Sequence, residues 1–286
     1  MSRAIAVFFA VFSLATSASP VRADEKSADL DHAFSRLYNF DFPGAHTVLD
    51  RRIAIDPSDP IGYAVKSSAY LFSELDRLSI LESEFFSDDE RIAEKKKLKP
   101  DPAVRASLMK AIGDAQSRAQ TVLNADPNDQ NALFAMCITT GVQTDYTALV
   151  EKKQISSLSM VKKGALYAQR LLKLNPKFYD AYLTTGVTEY VIGSLPFFVR
   201  WFIRVENING NKEQGMKTVE IVASKGHYLK PFAKILLAVA HLREKKPRVT
   251  EQILAELVND YPENPLFKKE LSQLSAKLQS GGPLGQ

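Results

Sequence analysis

The side chains best suited to acid–base or metal chemistry are the histidines, and they are scattered. The sequence holds four of them, at positions 32, 46, 227 and 241. No pair has the four-residue spacing and adjacent glutamate that place two imidazoles and a general base on one face of a zinc-protease helix. We therefore predict no metal site and no cofactor.

Nucleophilic chemistry also finds little support. The single cysteine, Cys137, lies inside an apolar helical pattern, where burial raises a thiol pKa and lowers its reactivity. The common nucleophile elbow, phosphate loop and dinucleotide turn are absent from the sequence. Acidic pairs such as Asp88 with Asp89, and Glu82 with Glu84, are typical of solvated helix ends and loops. We predict that the protein is not an enzyme.

The most unusual stretch is aromatic and basic. Residues 193–207 read G-S-L-P-F-F-V-R-W-F-I-R-V-E-N and include the single tryptophan. Its two arginines are four apart, on one side of a short helix, beside two apolar rows. Since tryptophan and arginine dominate binding hot spots, this segment is a predicted partner site; the alternative is that it fills the protein's own groove. The residues proposed for partner binding are Phe197, Phe198, Arg200, Trp201 and Arg204.

The rest of the chain consists of helical hairpins. Residues 231–265 place apolar side chains at steps of three and four in two successive helices, and a polar residue followed by proline closes the second helix. The same closing phrase occurs at Asp56-Pro57, Asp126-Pro127, Asn175-Pro176 and Tyr261-Pro262. The pattern predicts an all-α array of stacked helix pairs.

These hairpins resemble the tetratricopeptide repeat, which has small residues where its helices cross and a proline at the end of its second helix. The small position of the first helix falls on Ser67, Cys137, Gly186 and Ala238. The crossing position of the second helix falls on Ala45, Ala115, Gly164 and Thr250. The resemblance implies a right-handed superhelix with degenerate repeats and insertions, since the closing prolines are spaced more widely than the usual period of about 34 residues.

A weaker resemblance covers residues 194–262. This part is similar to a eukaryotic family of tetratricopeptide-like mitochondrial outer-membrane and inclusion-clearance proteins, and it has no catalytic motif. In the tetratricopeptide repeat the first helices line a concave groove. Projected here, that groove is mainly apolar, with Ala64, Ser68, Phe72, Phe134, Ile138, Val142, Leu183, Val187, Val191, Ile235, Val239 and Arg243. From these we predict Phe72, Phe134, Ile138, Leu183 and Val187 as partner-binding residues.

The beginning of the sequence has the pattern of a signal peptide. Arg3 precedes an apolar run that is too short to cross a bilayer, and Val21-Arg22-Ala23 offers a cleavage site, with Ala18 as a second candidate. We predict a signal peptide at 1–23, a tetratricopeptide-like domain at 24–279 and a flexible tail at 280–286. The mature protein would then be exported, to the periplasm or outside the cell, without a membrane span.

The net charge of the predicted mature chain limits the classes of molecule that it is expected to bind. Removing residues 1–23 takes away Arg3 and Arg22 and leaves 35 basic against 33 acidic residues, a formal charge of +2. Nucleic-acid binding depends on a basic surface, and this balance argues against it. The lysine-rich stretch 95–99 fits either a solvated loop or a peripheral contact with anionic lipids.

Three functions follow, in order of preference. The first is a scaffold that binds other proteins or peptides through the apolar groove. The second is a carrier of an apolar small molecule or acyl chain in the same groove, and the third is an enzyme of unrecognised type. An open groove would favour the scaffold, whereas an enclosed apolar cavity of about 300–1,000 Å³ would favour the carrier.

Overall fold

The fold is all-helical in the part of the chain that the structure describes. The structure is a computed structural model, and it describes residues 20–82, 99–194 and 210–280. Within these ranges there are no strands. The α-helices are α1 (Pro20–Tyr38), α2 (Phe42–Ile55), α3 (Pro60–Arg77), α4 (Pro102–Ala125), α5 (Gln130–Asp145), α6 (Gln154–Leu174), α7 (Tyr182–Ser194), α8 (Lys212–Lys225), α9 (Lys230–Arg243), α10 (Pro247–Asp260) and α11 (Pro265–Ser280).

The closing prolines mark helix ends, as predicted. Helices α2, α4, α6 and α10 each stop two residues before the proline of the closing phrase. The residue before a proline is pushed out of the helical region, which ends the helix there. An aspartate at each of two following turns then caps the next helix: Asp59 accepts a hydrogen bond from the Ile61 main chain, and Asp129 from that of Ala132.

Two prolines lie at helix starts. The stretches 41–44 and 245–247 have the composition of turns, which predicts helices that begin at Ala45 and Thr250, but α2 begins at Phe42 and α10 at Pro247. Proline fits the first turn of a helix because the missing N–H has no intrahelical acceptor there, and its fixed φ is already helical. In these hairpins a proline therefore marks the start of one helix and also the end of another.

A left-handed residue ends three of the helices. The helical spacing of Tyr63, Leu71 and Leu81 predicts a helix from Pro60 to Phe86, but α3 ends at Arg77, and Phe86 lies outside the described residues. Ser79 adopts a left-handed φ of 55°, and the N–H of Ile80 donates to the carbonyl of Leu75. Phe40 and Lys245 end α1 and α9 in the same way. Glycine usually occupies this position, so a serine at 79 does not indicate a helix end.

Consecutive helices pack against each other along the chain, and α3 also packs against α5. The predicted crossing positions meet in the last hairpin, where the hydroxyl of Thr250 donates a 3.0 Å hydrogen bond to the carbonyl of Ala238. Three other predicted small residues, Ser67, Cys137 and Gly186, are buried. Small side chains allow helices to cross closely, and the packing of consecutive helices agrees with the all-helical array predicted from the sequence.

The first hairpin also contacts the last helices. The side-chain amide of Asn264, which is fully buried, donates to the carbonyl of Tyr38 at 2.7 Å, and the ring of Tyr38 lies 5.4 Å from that of Tyr261. The Phe40 ring lies 6.5 Å from that of Phe267 in α11. These contacts bring the C-terminal end of α1 against α11 and against the turn between α10 and α11. The described helices therefore surround an interior space.

No helix in the described ranges is both long and apolar enough to cross a bilayer.

Candidate functional site

A large apolar cavity lies between the helices. Its volume is about 510 Å³, and α3, α5, α6, α7, α9, α10 and α11 supply its walls together with the end of α1. Its apolar lining includes Leu37, Phe72, Leu75, Leu81, Leu149, Leu158, Met160, Val161, Leu183, Val187, Val191, Phe232, Ile235, Leu236, Val239, Leu242, Leu254, Leu266 and Phe267. Protein interiors contain few voids larger than a water molecule, so this space is a candidate binding site.

One wall is fixed by a buried aspartate. Asp180 accepts hydrogen bonds from the main-chain N–H groups of His227, Tyr228 and Leu229, at 2.9 to 3.1 Å. This holds the loop before α9, and the carbonyl of Tyr228 in turn accepts from the hydroxyl of Tyr38. The ring of Tyr228 lies 4.9 Å from that of Phe34. The loop therefore joins α7, α9 and α1 on one side of the cavity.

Several hydroxyl groups around the cavity are already used as donors. Four threonine hydroxyls donate to main-chain carbonyls within their own hairpins at 2.6 to 3.0 Å, from Thr140, Thr144, Thr188 and Thr250. The hydroxyl of Tyr38 is likewise engaged. Hydroxyls bonded in this way satisfy themselves, so they present mainly lone pairs to the cavity.

Asp145 is the first of two carboxyl groups in the lining. It is the last residue of α5, directly before a single π-helical turn, Tyr146–Val150. Such turns are rare and occur often at functional sites. Burial raises the pKa of Asp145 from 3.8 to about 7, since few groups nearby solvate its charge. The structure gives this carboxyl no hydrogen-bond or ion-pair partner in the described part of the chain.

Glu270 is the second carboxyl group, on α11. The residue is 7% exposed, lies among the cavity-lining side chains, and has no hydrogen bond or ion pair to any described residue. A buried charge is normally paired or hydrogen-bonded because removing it from water is costly. Two carboxyl groups without a partner among the described residues therefore line one apolar cavity and set its chemistry.

The predicted partner-binding residues fall into three groups. Phe72, Leu183 and Val187 line the cavity. Phe134 and Ile138 do not; they are buried in the core, where the Phe134 ring lies 4.9 Å from that of Phe178. The third group, Phe197, Phe198, Arg200, Trp201 and Arg204, lies outside the described residues. The projected groove therefore matches the cavity only in part.

The remaining reactive side chains give no sign of chemistry. Cys137 is buried, and desolvation raises the pKa of its thiol to about 12. A thiol in this state is not a nucleophile at neutral pH. In the described ranges, no group of three or more histidine, cysteine and acidic residues could hold a metal ion.

Sequence reasoning missed Asp145 and Glu270, although a signal was present for each. Asp145 is the one charged residue in the apolar stretch 132–150. Glu270 lies three residues after Phe267 and four before Leu274, which places it on the buried stripe of α11. A carboxylate at a core position of a helix is a departure that a search for charged residues on apolar stripes would find.

No protein-family model, curated protein or solved structure matches this chain.

Proposed function

We propose that this protein is a non-enzymatic carrier that binds an apolar small molecule or an acyl chain in its interior cavity. The observation that carries the proposal is the cavity itself. Its volume of about 510 Å³ lies within the range of roughly 300 to 1,000 Å³ that is usual for small-ligand sites. Its lining is predominantly apolar with a few polar groups, which is the usual composition of such sites.

The dispersion contacts that are lost around an empty cavity favour the binding of a ligand there. Side chains around a void lose dispersion contacts, and this loss destabilises the folded protein. An apolar ligand restores those contacts and gains free energy from leaving water, at about 25 cal/mol for each Å² buried. A ligand that binds only the folded state also stabilises it by mass action.

The carrier proposal changes the order of preference. The sequence favoured a scaffold; the volume and the apolar lining of the cavity, which is partly open, favour a carrier instead. We propose that the helix pairs form a degenerate tetratricopeptide-like right-handed superhelix. The closing prolines and the Thr250–Ala238 contact support that assignment. We also propose export, on the signal-peptide pattern of residues 1–23.

A protein partner is the second candidate. Leu183, Val187 and Val191 follow one another at four-residue spacing along the cavity-facing side of α7, and Val191 is 37% exposed. An amphipathic helix of a partner could pack its apolar face against such a row. A titration with small ligands separates the two candidates, because a site for a helix would bind isolated alkyl chains weakly.

The experiment is calorimetric titration of dodecanol into the wild-type protein and two glycine variants. Gly141 lines the cavity, and a Cβ at this position would meet no other atom within 4 Å, so Gly141→Leu projects a side chain into open space there. Gly113 in α4 is exposed and equally unobstructed, so Gly113→Leu is the matched control.

We expect wild type and Gly113→Leu to bind dodecanol alike, and Gly141→Leu to bind it about tenfold more weakly, since filling the site removes about 1.4 kcal/mol or more of contacts. Absence of binding to the wild type, or equal binding by all three proteins, would refute the carrier proposal.

A further inference from the structure

We propose that the occupant of the cavity is a lipophilic amine, an apolar body with a protonated amino group, and that Asp145 and Glu270 receive that group. This inference rests on the proposed carrier function and names the chemical class of its ligand.

The polar groups of the cavity indicate which chemical group of a ligand they can bind. The hydroxyls of Thr140, Thr144, Thr188 and Thr250 already donate to main-chain carbonyls. The carboxyl groups of Asp145 and Glu270 have no partner in the described part of the chain. The two carboxyl groups are therefore the charged acceptors that the cavity offers, and the complementary ligand group is a cationic hydrogen-bond donor.

The charged residues of the lining also favour a cationic ligand. No lysine, arginine or histidine occurs among the described residues that line the cavity. A cation in the same space would be attracted by the two carboxyl groups, which have no partner among the described residues. A fatty-acid carboxylate would instead add a third negative group, which repels the other two. The lining therefore disfavours anionic lipids and favours a cationic ligand.

The two carboxyl groups come from separate elements. Asp145 ends α5 before the π-helical turn, and Glu270 lies on α11, the last described helix. An ammonium group has three donors, so it can serve more than one acceptor as well as hydroxyl lone pairs. The remaining volume, lined by leucine, valine and phenylalanine side chains, suits an alkyl body.

The test compares ligands that differ only in their polar end. Dodecylamine, dodecanol and dodecanoic acid share one alkyl chain. Each is titrated below its aggregation concentration into protein purified from the full chain, at about pH 8, which lies above the pKa of about 7 of Asp145. The readout is the ratio of amine to alcohol affinity, because this ratio cancels the contribution of the alkyl chain.

We expect the amine to bind the wild type about tenfold or more tightly than the alcohol, as for a hydrogen bond to a charged group, and the acid to bind most weakly. Asp145→Asn and Glu270→Gln should each lower the ratio, and the double variant should bring it near one. The control is Glu213→Gln, on the exposed face of α8, where Glu213 pairs with Lys217. Its ratio should equal that of the wild type.

The outcomes separate the two proposals. Equal affinity for amine and alcohol in the wild type would leave the carrier function standing and overturn the amine. Tightest binding of the acid would also overturn it, since that result requires a cation at the site. If none of the three ligands binds, the carrier function fails and the amine inference fails with it.

Discussion

The hydroxyl of Tyr38 donates a 2.9 Å hydrogen bond to the main-chain carbonyl of Tyr228, which lies 190 residues further along the chain. The carbonyl of Tyr38 accepts from Asn264 at 2.7 Å. One residue near the end of the first helix thus contacts two loops of the C-terminal half. These contacts place apolar helix faces around a cavity, and the ligand-binding proposal depends on that arrangement.

The first prediction concerns this junction. Tyr38→Phe keeps the ring but leaves the Tyr228 carbonyl without its donor, so we expect a loss of about 1–2 kcal/mol in the free energy of unfolding. Urea denaturation measures it. The control is Tyr63→Phe, since the Tyr63 hydroxyl makes a longer, exposed 3.3 Å bond to Pro57 and should cost less than about 0.5 kcal/mol. Equal effects of the two variants would argue against a stabilising junction.

A second prediction addresses Asp180. In Asp180→Asn the amide group replaces one carboxylate oxygen and faces an N–H donor of the 227–229 loop, so at least one hydrogen bond is lost. We expect a loss of about 1.5–3 kcal/mol by urea denaturation, because bonds to charged groups are strong. Asp126→Asn, at an exposed turn, is the matched change and should stay within about 0.5 kcal/mol. A stable Asp180→Asn would mean that the loop docks without this carboxylate.

The third prediction tests the helix crossing at Gly186. A Cβ there would lie 3.0 Å from the Cβ of Thr218 in α8, so Gly186→Leu forces the two helices apart. Overpacking of this kind costs about 1–3 kcal/mol. Thermal unfolding measures it, with Gly113→Leu as the control, which should be neutral or stabilising because leucine favours the helix by roughly 0.5–1 kcal/mol over glycine. An unchanged melting temperature in Gly186→Leu would place the crossing elsewhere.

The fourth prediction follows from the pKa of Asp145. Burial raises it from 3.8 to about 7, so the folded protein keeps a proton that the unfolded chain releases between these values. Ionisation of Asp145 therefore lowers stability as pH rises through this window, and the loss is complete above it. Asp145→Asn removes the effect, and we expect it to stabilise the protein by about 1–3 kcal/mol near pH 8.

The same variant should change stability little near pH 4, where wild-type Asp145 is protonated in the folded state. Glu270 and Tyr38 are the other titratable residues of the described lining. They are present in both proteins, so the difference between the two stability curves isolates Asp145. Destabilisation by Asp145→Asn near pH 8 would mean that the carboxylate is paired with a cation.

The fifth prediction concerns export. If Val21-Arg22-Ala23 is a cleavage site, the mature protein begins at Asp24. Mass spectrometry of protein recovered from outside the cytoplasm measures the terminus. A product that retains Met1 and its apolar run would contradict the signal-peptide prediction.

Sequence patterns predicted the local parts of this fold. Closing prolines gave the ends of α2, α4, α6 and α10, because the steric effect of proline acts on its immediate neighbour. The end of α3 was predicted wrongly, because Ser79 adopts a left-handed conformation that glycine usually supplies. Local sequence carries the first kind of signal and not the second.

The cavity was harder to predict than the helices. It depends on contacts of Tyr38 with residues 190 and 226 positions further along the chain, and no periodicity in the sequence predicts contacts over those separations. Phe134 and Ile138 were assigned to the groove from repeat position alone, but the loop at Tyr228 covers this part and the Tyr228 ring lies 6.3 Å from that of Phe134. Phe134 and Ile138, which the repeat pattern assigns to the groove, therefore lie in the core.

Diffraction from crystals soaked with bromododecane tests the central claim most directly, because the anomalous scattering of bromine distinguishes the ligand from the atoms of the protein. We predict a bromine peak inside the cavity, among Leu183, Leu236 and Val239, and its loss in Gly141→Leu crystals. Apolar cavities of this kind bind apolar solutes from solution. Bromine found only on the protein surface, or an empty cavity in the wild type, would contradict the account.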